Sequence, residues 1–340
     1  MKQKKVIVAL SGGVDSSVSA ALLKRDGFDV VGVFMKCWAE GKKCTSTEDE
    51  KMARMSAVEI GIPFYSLDLI KEYRERVVEY MVEGYENGIT PNPDVMCNKE
   101  IKFGLFFEKA LNMGADFVAT GHYAQIKNGK ILAGRDLNKD QSYFLSMIDA
   151  SVLTKVFFPI GGYTKPQVRA LAKKFGLPTA ERPDSQGLCF IGNVDFKDFL
   201  SDFIPESKGE IVDMEGRVVG SHPGVWFYTI GQRKGIRLSG GPWFVVEKNR
   251  KDNTLIVSTN EKDLYKKELQ VTNLNWFEKD VSKNITARIR YRQKPAQCKV
   301  MKEKDGSLRL VFTTPQRAIA PGQAAVLYNG SEMLGGGIIQ

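Results

Sequence analysis

Short β-branched runs alternate with helix-length stretches through the first half of this chain: KKVIVAL, SSVSAALLKRDG, DVVGVFM, EDEKMARMSAVEIG, PFYSLDL. That order reads as an α/β domain with a doubly wound parallel sheet. Helical stretches follow at KEYRERVVEYMVEGYENG and IKFGLFFEKALNMG, the second feeding a strand at DFVATGH. The helix KPQVRALAKKFG then carries the block to about Gly192, giving a first domain over 1–192. After a short helix at VDFKDFLSDF, Gly-rich turns and alternating runs (GEIVDMEGRVVG, WFVVEKN, NTLIVST) predict a small β-rich central domain over 193–270. The runs ITARIRYR, QCKVMKEKDGSLRLVF and QAAVLYNGSEMLGGGII predict an antiparallel sandwich or β-barrel over 271–340.

With 43% hydrophobic and 26% charged residues, the 340-residue chain has material for several cores, and neither a fibre nor a disordered chain fits. The apolar run in MKQKKVIVALSGG stops at Leu10, too short for a signal-peptide core, and no later run is of membrane-spanning length. The expected location is therefore cytoplasmic, with no membrane partner. Five cysteines in no CxxC or Cys/His cluster argue against a disulfide framework and a zinc finger. The net charge of +9 is concentrated at the end: 271–340 holds 11 basic and 5 acidic residues. Such a surface suits a phosphate backbone, and equally a solvated face.

Ser11-Gly12-Gly13-Val14-Asp15-Ser16-Ser17 follows the first strand and opens the first helix, where backbone amides and the helix dipole favour an anion. It has neither the Lys-Ser/Thr of a Walker loop nor the spacing of a dinucleotide site. The bland reading is a tight turn capped by Ser and Asp. Two other loops carry chemistry. Cys97 lies in Thr90-Pro-Asn-Pro-Asp-Val-Met-Cys, with Asp94 three residues ahead of the thiol and a helix start beside it, where a thiolate is favoured. Cys189 lies in a second glycine-containing loop, Asp184-Ser-Gln-Gly-Leu-Cys-Phe-Ile-Gly192. Cys298 reads as an inert core thiol, as do Cys37 and Cys44.

SGGVDSS resembles the signature of the PP-loop ATP pyrophosphatases, which leave AMP on a substrate oxygen. NPDVMCNKEIKF and DSQGLCFIG, with ATGHY, NKDQSYFL, TIGQRKG, RYRQ, PGQ and the terminal LGGGII, resemble the tRNA-specific 2-thiouridylases over nearly the whole chain. The resemblance implies an ATP site at Ala9, Leu10, Ser11, Gly12, Gly13, Val14, Asp15 and Ser16, with Ser17 near the phosphates. Asp15 would lie near Mg²⁺-pyrophosphate, Met35 by the adenine, and Gly121 would line the nucleotide site. It implies that Cys189 receives a persulfide sulfur, that Cys97 resolves it, leaving a Cys97–Cys189 disulfide, and that Asp94 is the acid/base. Asn92, Pro93 and Asp94 would touch the target base. His122, Lys139, Asp140, Gln141, Tyr291, Arg292 and Gln323 would touch tRNA, usually the tRNAs for Lys, Glu and Gln. A cysteine desulfurase or a relay protein would supply the sulfur. The chain departs from the pattern at Cys37, usually Asn, and at Gln186, often Thr.

His122 closes a strand at its carboxyl end, where open α/β sheets bind ligands, and His222 reads as structural. Arg288, Arg290, Arg292 and Lys294 alternate as strand residues would, which predicts one basic face; a charged edge strand is the bland reading. A nitrogen-adding PP-loop synthetase would explain SGGVDSS and leave both cysteines idle. An RNA-binding protein without catalysis would leave the phosphate loop idle. Asp94, Cys97 and Cys189 also make a ligand set for an iron–sulfur cluster, which ranks below the persulfide route because three ligands on two loops are weak evidence for one.

Overall fold

The computed structural model describes residues 3–38, 46–184, 187, 189–191, 196–278 and 284–340; Cys44, Gln186 and Gly192 lie outside the described residues. The first domain is a parallel sheet in the order β3-β2-β1-β4-β7, with β1 Lys5–Ala9, β2 Asp29–Lys36, β3 Phe64–Asp68, β4 Phe117–Ala119 and β7 Val156–Phe157. Alternate residues of β1 serve opposite faces, as a pleated strand requires. Val6 and Val8 pack with α1 (Val14–Arg25) and α2 (Ser46–Ile60) through Ala20, Leu23, Ala53 and Ala57. Ile7 and Ala9 instead join a larger core with Tyr73, Met81, Ile101 and Phe106. Both faces are covered, which is the doubly wound layout that the sequence predicts.

The far face carries two composite helices. One runs from α3 (Ile70–Tyr73) through a π-helical turn at Arg74–Val78 into α4 (Glu79–Glu86); the other runs from α5 (Pro93–Met96) through a π-helical stretch at Cys97–Leu105 into α6 (Phe106–Asn112). The hairpin of β5 (Ala124–Lys127) and β6 (Lys130–Ala133) follows β4, turning on Asn128 and Gly129, both at positive φ (53° and 73°). α7 (Lys165–Lys174) packs against α1 and carries a Thr164/Gln167 capping box.

After α8 (Phe196–Ser201) comes a four-stranded sheet ordered β10-β11-β8-β9: β8 Gly209–Val212, β9 Val218–His222, β10 Phe244–Asn249, β11 Thr254–Ser258. The last six strands are β12 Tyr265–Trp276, β13 Thr286–Arg288, β14 Ala296–Lys302, β15 Leu308–Arg317, β16 Ala324–Asn329 and β17 Glu332–Ile339. They pair in the order β12-β15-β14-β13-β16-β17, and β17 pairs back onto β12, closing a barrel.

Two expectations need correction. The boundary expected at 270/271 falls inside β12, whose residues on both sides pair with β15. The stripe expected from Arg288 to Lys294 is not one strand face: β13 ends at Arg288, and a turn follows in which the Gln293 amide bonds to the Arg290 carbonyl (3.2 Å) and Arg292 takes φ 64°. Among the described residues, no helix is long and apolar enough to cross a membrane.

Candidate active site

The glycine loop sits between the end of β1 and the start of α1, whose first turn has no side-chain cap at Gly13. The amides of that first turn are therefore left for an anion at the positive end of the helix dipole, while within the loop the Ser11 amide donates to the Ser16 hydroxyl (3.1 Å) and the Gly13 amide to the Ser11 hydroxyl (3.4 Å). Gly12 holds φ 77°, and a Cβ there would lie 2.2 Å from the Asp49 carbonyl oxygen. Arg182 braces the loop, donating to the Gly12 carbonyl (2.7 Å) and to Asp49 (2.6 Å). Ala9, Leu10 and Val14 are buried and offer this site backbone alone. Ser16 and Ser11 share a hydroxyl contact at 3.2 Å, whereas the fully buried Ser17 hydroxyl donates to the Gly13 carbonyl and to Ser56. Ser17 thus buttresses the loop from behind. Met35 is buried at the carboxyl end of β2.

Gly121 backs directly onto the loop: its Cβ would lie 2.7 Å from the Ser16 amide nitrogen and 2.8 Å from the Asp15 carbonyl carbon. Gly121→Ala should displace the start of α1 at a cost of about 1–3 kcal/mol. We expect ATP affinity to fall about 10- to 100-fold in calorimetry; unchanged affinity would place the nucleotide elsewhere.

Asp15 opens α1 and meets Lys165, which donates to both carboxylate oxygens (2.8 and 2.9 Å), and the Tyr123 hydroxyl (2.8 Å). Burial, and then Asp15, push the Tyr123 phenol well above its ordinary pKa, so it remains a donor. Lys165 also reaches Asp184 (3.0 Å), which in turn pairs with Lys139 and Arg169 (2.6 Å each). Burial pulls Asp184 up, but these cations outweigh it and hold its pKa to about 2. Asp184 begins the loop that ends at Cys189, so one lysine ties the phosphate loop to the thiol loop. Lys165, Arg169 and Arg182 carry no sequence motif, and nothing local marks them.

Asn92 caps α5 by accepting from the Val95 amide (3.2 Å), and Pro93 supplies the first helical residue. This start aims Asp94 at the second loop, where one carboxylate oxygen accepts the Cys189 amide (3.1 Å). Burial raises the Asp94 pKa against the opposing pull of that amide and of Lys102, which suits an acid/base group. Cys97, fully buried, donates its S–H to the Cys189 sulfur at 3.7 Å. The two thiols are driven apart. Burial holds Cys97 protonated, while donation from Cys97 and then the charge of Lys102 outweigh burial and bring Cys189 to about 7. Cys189 is therefore the more readily ionised thiol of the pair. Phe190 beside it takes φ 65°, unusual for a bulky side chain, and the Tyr73 hydroxyl donates to the Cys189 carbonyl (2.6 Å).

Lys102 is the residue the sequence reading missed. It follows Cys97 by five, which in an α-helix points away, but Cys97–Leu105 is π-helical, with i to i+5 bonding. One wider turn brings Lys102 under the cysteines, 5.8 Å from the Phe190 ring centre. Burial lowers its pKa, but Cys189, Cys97 and Asp94 more than reverse this and keep it charged. Gly104 permits the wide turn, since its Cβ would lie 2.9 Å from the Lys99 carbonyl oxygen. Cys37 is a third buried thiol of this cluster, raised first by burial and next by Cys189.

Several residues expected at tRNA are in supporting positions. His122 is buried, bonded to the Thr120 hydroxyl (2.6 Å), and burial holds its pKa well below the ordinary value, so it is neutral. Asp140 has no solvent-exposed side-chain surface: Gly134 and Ser142 amides, the Ser142 hydroxyl and Arg288 take its carboxylate. Gln141 accepts the Tyr123 amide (3.0 Å), and Lys139 is held by Asp184. Gln323 donates to the Thr90 and Pro91 carbonyls (2.8 and 3.2 Å) and faces Asn92 (3.4 Å), seating the Asn-Pro-Asp loop on the barrel. Tyr291, its ring tilted against Phe144 with centres 4.4 Å apart, and Arg292 lie on the turn after β13, with Arg292 exposed. Among the described residues, no three His, Cys, Asp or Glu side chains are gathered as metal ligands; the Asp94 carboxylate is bound to the Cys189 amide instead.

A glycine loop at a helix start, a thiol pair on two adjoining loops and two β modules behind them define an enzyme of the HUP-domain class. Family models match throughout: a tRNA methyl transferase HUP domain over 4–193, a tRNA methyl transferase PRC-barrel domain over 197–259, and an aminomethyltransferase beta-barrel domain over 266–339. Relatives named tRNA-specific 2-thiouridylase MnmA in Halalkalibacterium halodurans (47% identical, 99% of this chain, 95% of that protein) and Oceanobacillus iheyensis (48%, 99% and 95%) align end to end. A solved 4-thiouridine synthetase–RNA complex with bound ATP matches at a TM-score of 0.35 and 18% identity, covering 55% of this chain and 45% of that one. The chain belongs to the tRNA-specific 2-thiouridylase family.

Proposed function

We propose that this enzyme replaces the C2 oxygen of the wobble uridine of tRNA with sulfur, consuming ATP and releasing AMP and pyrophosphate. The observation that carries this reading is the thiol pair, 3.7 Å apart, with Cys97 pushed up by burial and Cys189 drawn down by its donor, beside a buried carboxyl at Asp94 whose pKa burial raises. A PP-loop synthetase that adds nitrogen would have no use for it.

Gly12, Gly13 and the first amides of α1 hold the ATP phosphates. Mg²⁺ fits at Asp15, where the Lys165 ammonium already stands as a cation on both carboxylate oxygens. There it would neutralise pyrophosphate charge. The uridine C2 oxygen attacks the α-phosphorus, pyrophosphate leaves, and AMP remains on that oxygen as a good leaving group. Asp94 handles the associated proton.

The Cys189 thiolate attacks the terminal sulfur of a donor persulfide R–S–SH; that S–S bond breaks and R–S⁻ leaves with its electron pair, giving Cys189–S–SH. The terminal sulfur adds to C2, and AMP departs with the C–O electron pair. Cys97, having given up its proton, attacks the Cys189 Sγ and breaks the remaining S–S bond. The sulfane sulfur is reduced to the thiocarbonyl while two thiols become a disulfide, which an external thiol must reduce before the next turnover. The tRNAs for Lys, Glu and Gln as acceptors, and a cysteine desulfurase or sulfur-relay protein as donor, belong to the same proposal.

The test is nucleoside mass spectrometry on an unmodified tRNA transcript incubated with Mg-ATP and a persulfide donor. ATP-dependent 2-thiouridine is expected, and its absence while ATP is still cleaved to AMP would sink the substrate assignment. In Asp15→Asn, tRNA-stimulated pyrophosphate release should fall by at least about 10²-fold, since one anchor of the transferring group is lost; full activity would remove Asp15 from the phosphate site.

A further inference from the structure

Between β9 and β10 the central domain carries a long turn, Thr229-Ile-Gly-Gln-Arg-Lys-Gly-Ile-Arg-Leu-Ser-Gly-Gly-Pro-Trp243. It is held firmly. Ile236 is buried in the small core with Ile211, Tyr228, Val245 and Leu255, and Leu238 and Trp243 pack at its edge. Gly231 lies so close to the barrel that a Cβ there would come within 2.5 Å of the Ala318 Cβ, and Arg290 of the barrel donates to the Ile230 carbonyl (3.2 Å).

With the apolar residues turned inward, the cations point out. Arg233, Lys234 and Arg237 are exposed, and among the described residues none has an ion pair or donates a side-chain hydrogen bond. This sets them apart from Lys139, Lys165, Arg169, Arg182 and Arg288, each of which is matched to a carboxylate. Arg237 is projected from a left-handed residue at φ 59°. Arg233 and Arg237 rim a pocket of about 440 Å³ together with Ile236, Leu238, Gly241, Pro242 and Trp243. The Trp243 indole N–H is spent on the Ser239 carbonyl (2.8 Å), which leaves the ring surface as what it offers a ligand.

The turn also starts at the active site. The Thr229 hydroxyl meets the Thr90 hydroxyl at 3.4 Å, and Thr90 opens the Asn-Pro-Asp loop. A polyanion whose base enters that loop passes this turn.

We propose that the turn 229–243 is an RNA-holding surface of the central domain: Arg233 and Arg237 bind backbone phosphates of the tRNA flanking the reacting nucleotide, and a base or ribose packs on Trp243. Arginine forks match phosphate oxygens, and an aromatic face takes any base without reading sequence. An anionic membrane would want apolar side chains outward, whereas Ile236 and Leu238 point in. The inference rests on the tRNA reading above.

The test is binding of an unmodified tRNA transcript by the full chain across a salt series, for the wild type, R233Q/R237Q, W243L and W243F. Removing two phosphate contacts should lower the slope of log affinity against log salt by about 1.4 to 1.8. It should also weaken binding at least tenfold at moderate salt, with ATP affinity unchanged. W243L should lose about 5- to 100-fold, the range for one stacked base, and W243F should recover most of it. Slopes and affinities equal to wild type in R233Q/R237Q, with the transcript still bound, would overturn this inference alone. Loss of binding to anionic phospholipid vesicles without loss of transcript binding would also overturn it. A wild-type chain that binds no tRNA would instead overturn the reading on which it rests. Arg233 and Arg237 are solvent-facing and Trp243 is half-buried at the edge of the small core, so thermal unfolding of each variant, and the comparison of W243L with W243F, is the check that the fold is kept.

Discussion

Cys97→Ala is expected to shift the pH midpoint of Cys189 alkylation upward from about 7 toward the ordinary thiol value of about 8.5. The largest cause of the low value is the S–H donated by Cys97, and alanine removes it. The sign follows from the nucleophile being the thiolate: at pH 7 about half of Cys189 is ionised in the wild type and a few per cent in the variant, so alkylation slows by about 15-fold. Cys97→Ser keeps a donor and should recover much of this reactivity. Lys102→Met should move the midpoint in the same direction as Cys97→Ala, because it removes the next charge that favours the thiolate. Thiolation with a persulfide donor should fall by at least about 10³-fold in both Cys97 variants, since on the proposed route neither could open a persulfide carried by Cys189. A midpoint that stays near 7 in Cys97→Ala and Lys102→Met would show that neither neighbour sets the order of the two thiols.

That asymmetry also marks where sequence reasoning reaches and where it stops. Local pattern was enough for the parallel sheet, because β1 and β2 are short apolar runs set between helix-length stretches. It was enough to locate the glycine loop and both cysteines, which lie in distinctive local strings, although the two thiols meet across 92 residues of chain. It was not enough for Lys102, because the reading of spacing assumes 3.6 residues per turn, and the i to i+5 bonding at Cys97–Leu105 changes which residues share a face. Gly104 was the available signal. The hairpin of β5 and β6 is absent from the sequence reading although Asn128-Gly129 between alternating residues was its signal, and its destination had no local signal: β6 pairs with β17, so the first domain extends the barrel sheet from outside. Arg288 to Lys294 alternates convincingly on paper. The chain nonetheless turns after Arg288, whose side chain is directed to a partner far away in sequence, at Asp140.

That partner makes the second large prediction. Arg288 of β13 and Asp140 of the first domain form an ion pair with at most 9% of either side chain exposed. The Arg288 guanidinium also lies over the Tyr328 ring, 4.8 Å from its centre, and the Ser142 hydroxyl links Asp140 to the Tyr328 hydroxyl (3.0 Å each). Removing one member strands a buried charge, which costs more than the pair itself contributes. Arg288→Met should therefore destabilise the protein by about 3–5 kcal/mol in denaturant unfolding, and Asp140→Asn by a similar amount. The double variant Arg288→Met/Asp140→Asn should lose clearly less than the sum of the two, with a coupling of at least about 1 kcal/mol. The consequence for activity follows from position. The barrel that Arg288 anchors also presents Gln323 and Gly322, on which the Thr90–Pro91 backbone rests; a Cβ at Gly322 would come within 2.8 Å of the Thr90 carbonyl carbon. A barrel that slides on the first domain moves Asp94 and Cys97 with that loop. Thiolation in the single variants should thus fall before the protein unfolds, with ATP affinity held, because the glycine loop is braced from the other side by Arg182. Additive stability losses, or activity that tracks the folded fraction alone, would show that Asp140 and Arg288 do not act as one strut.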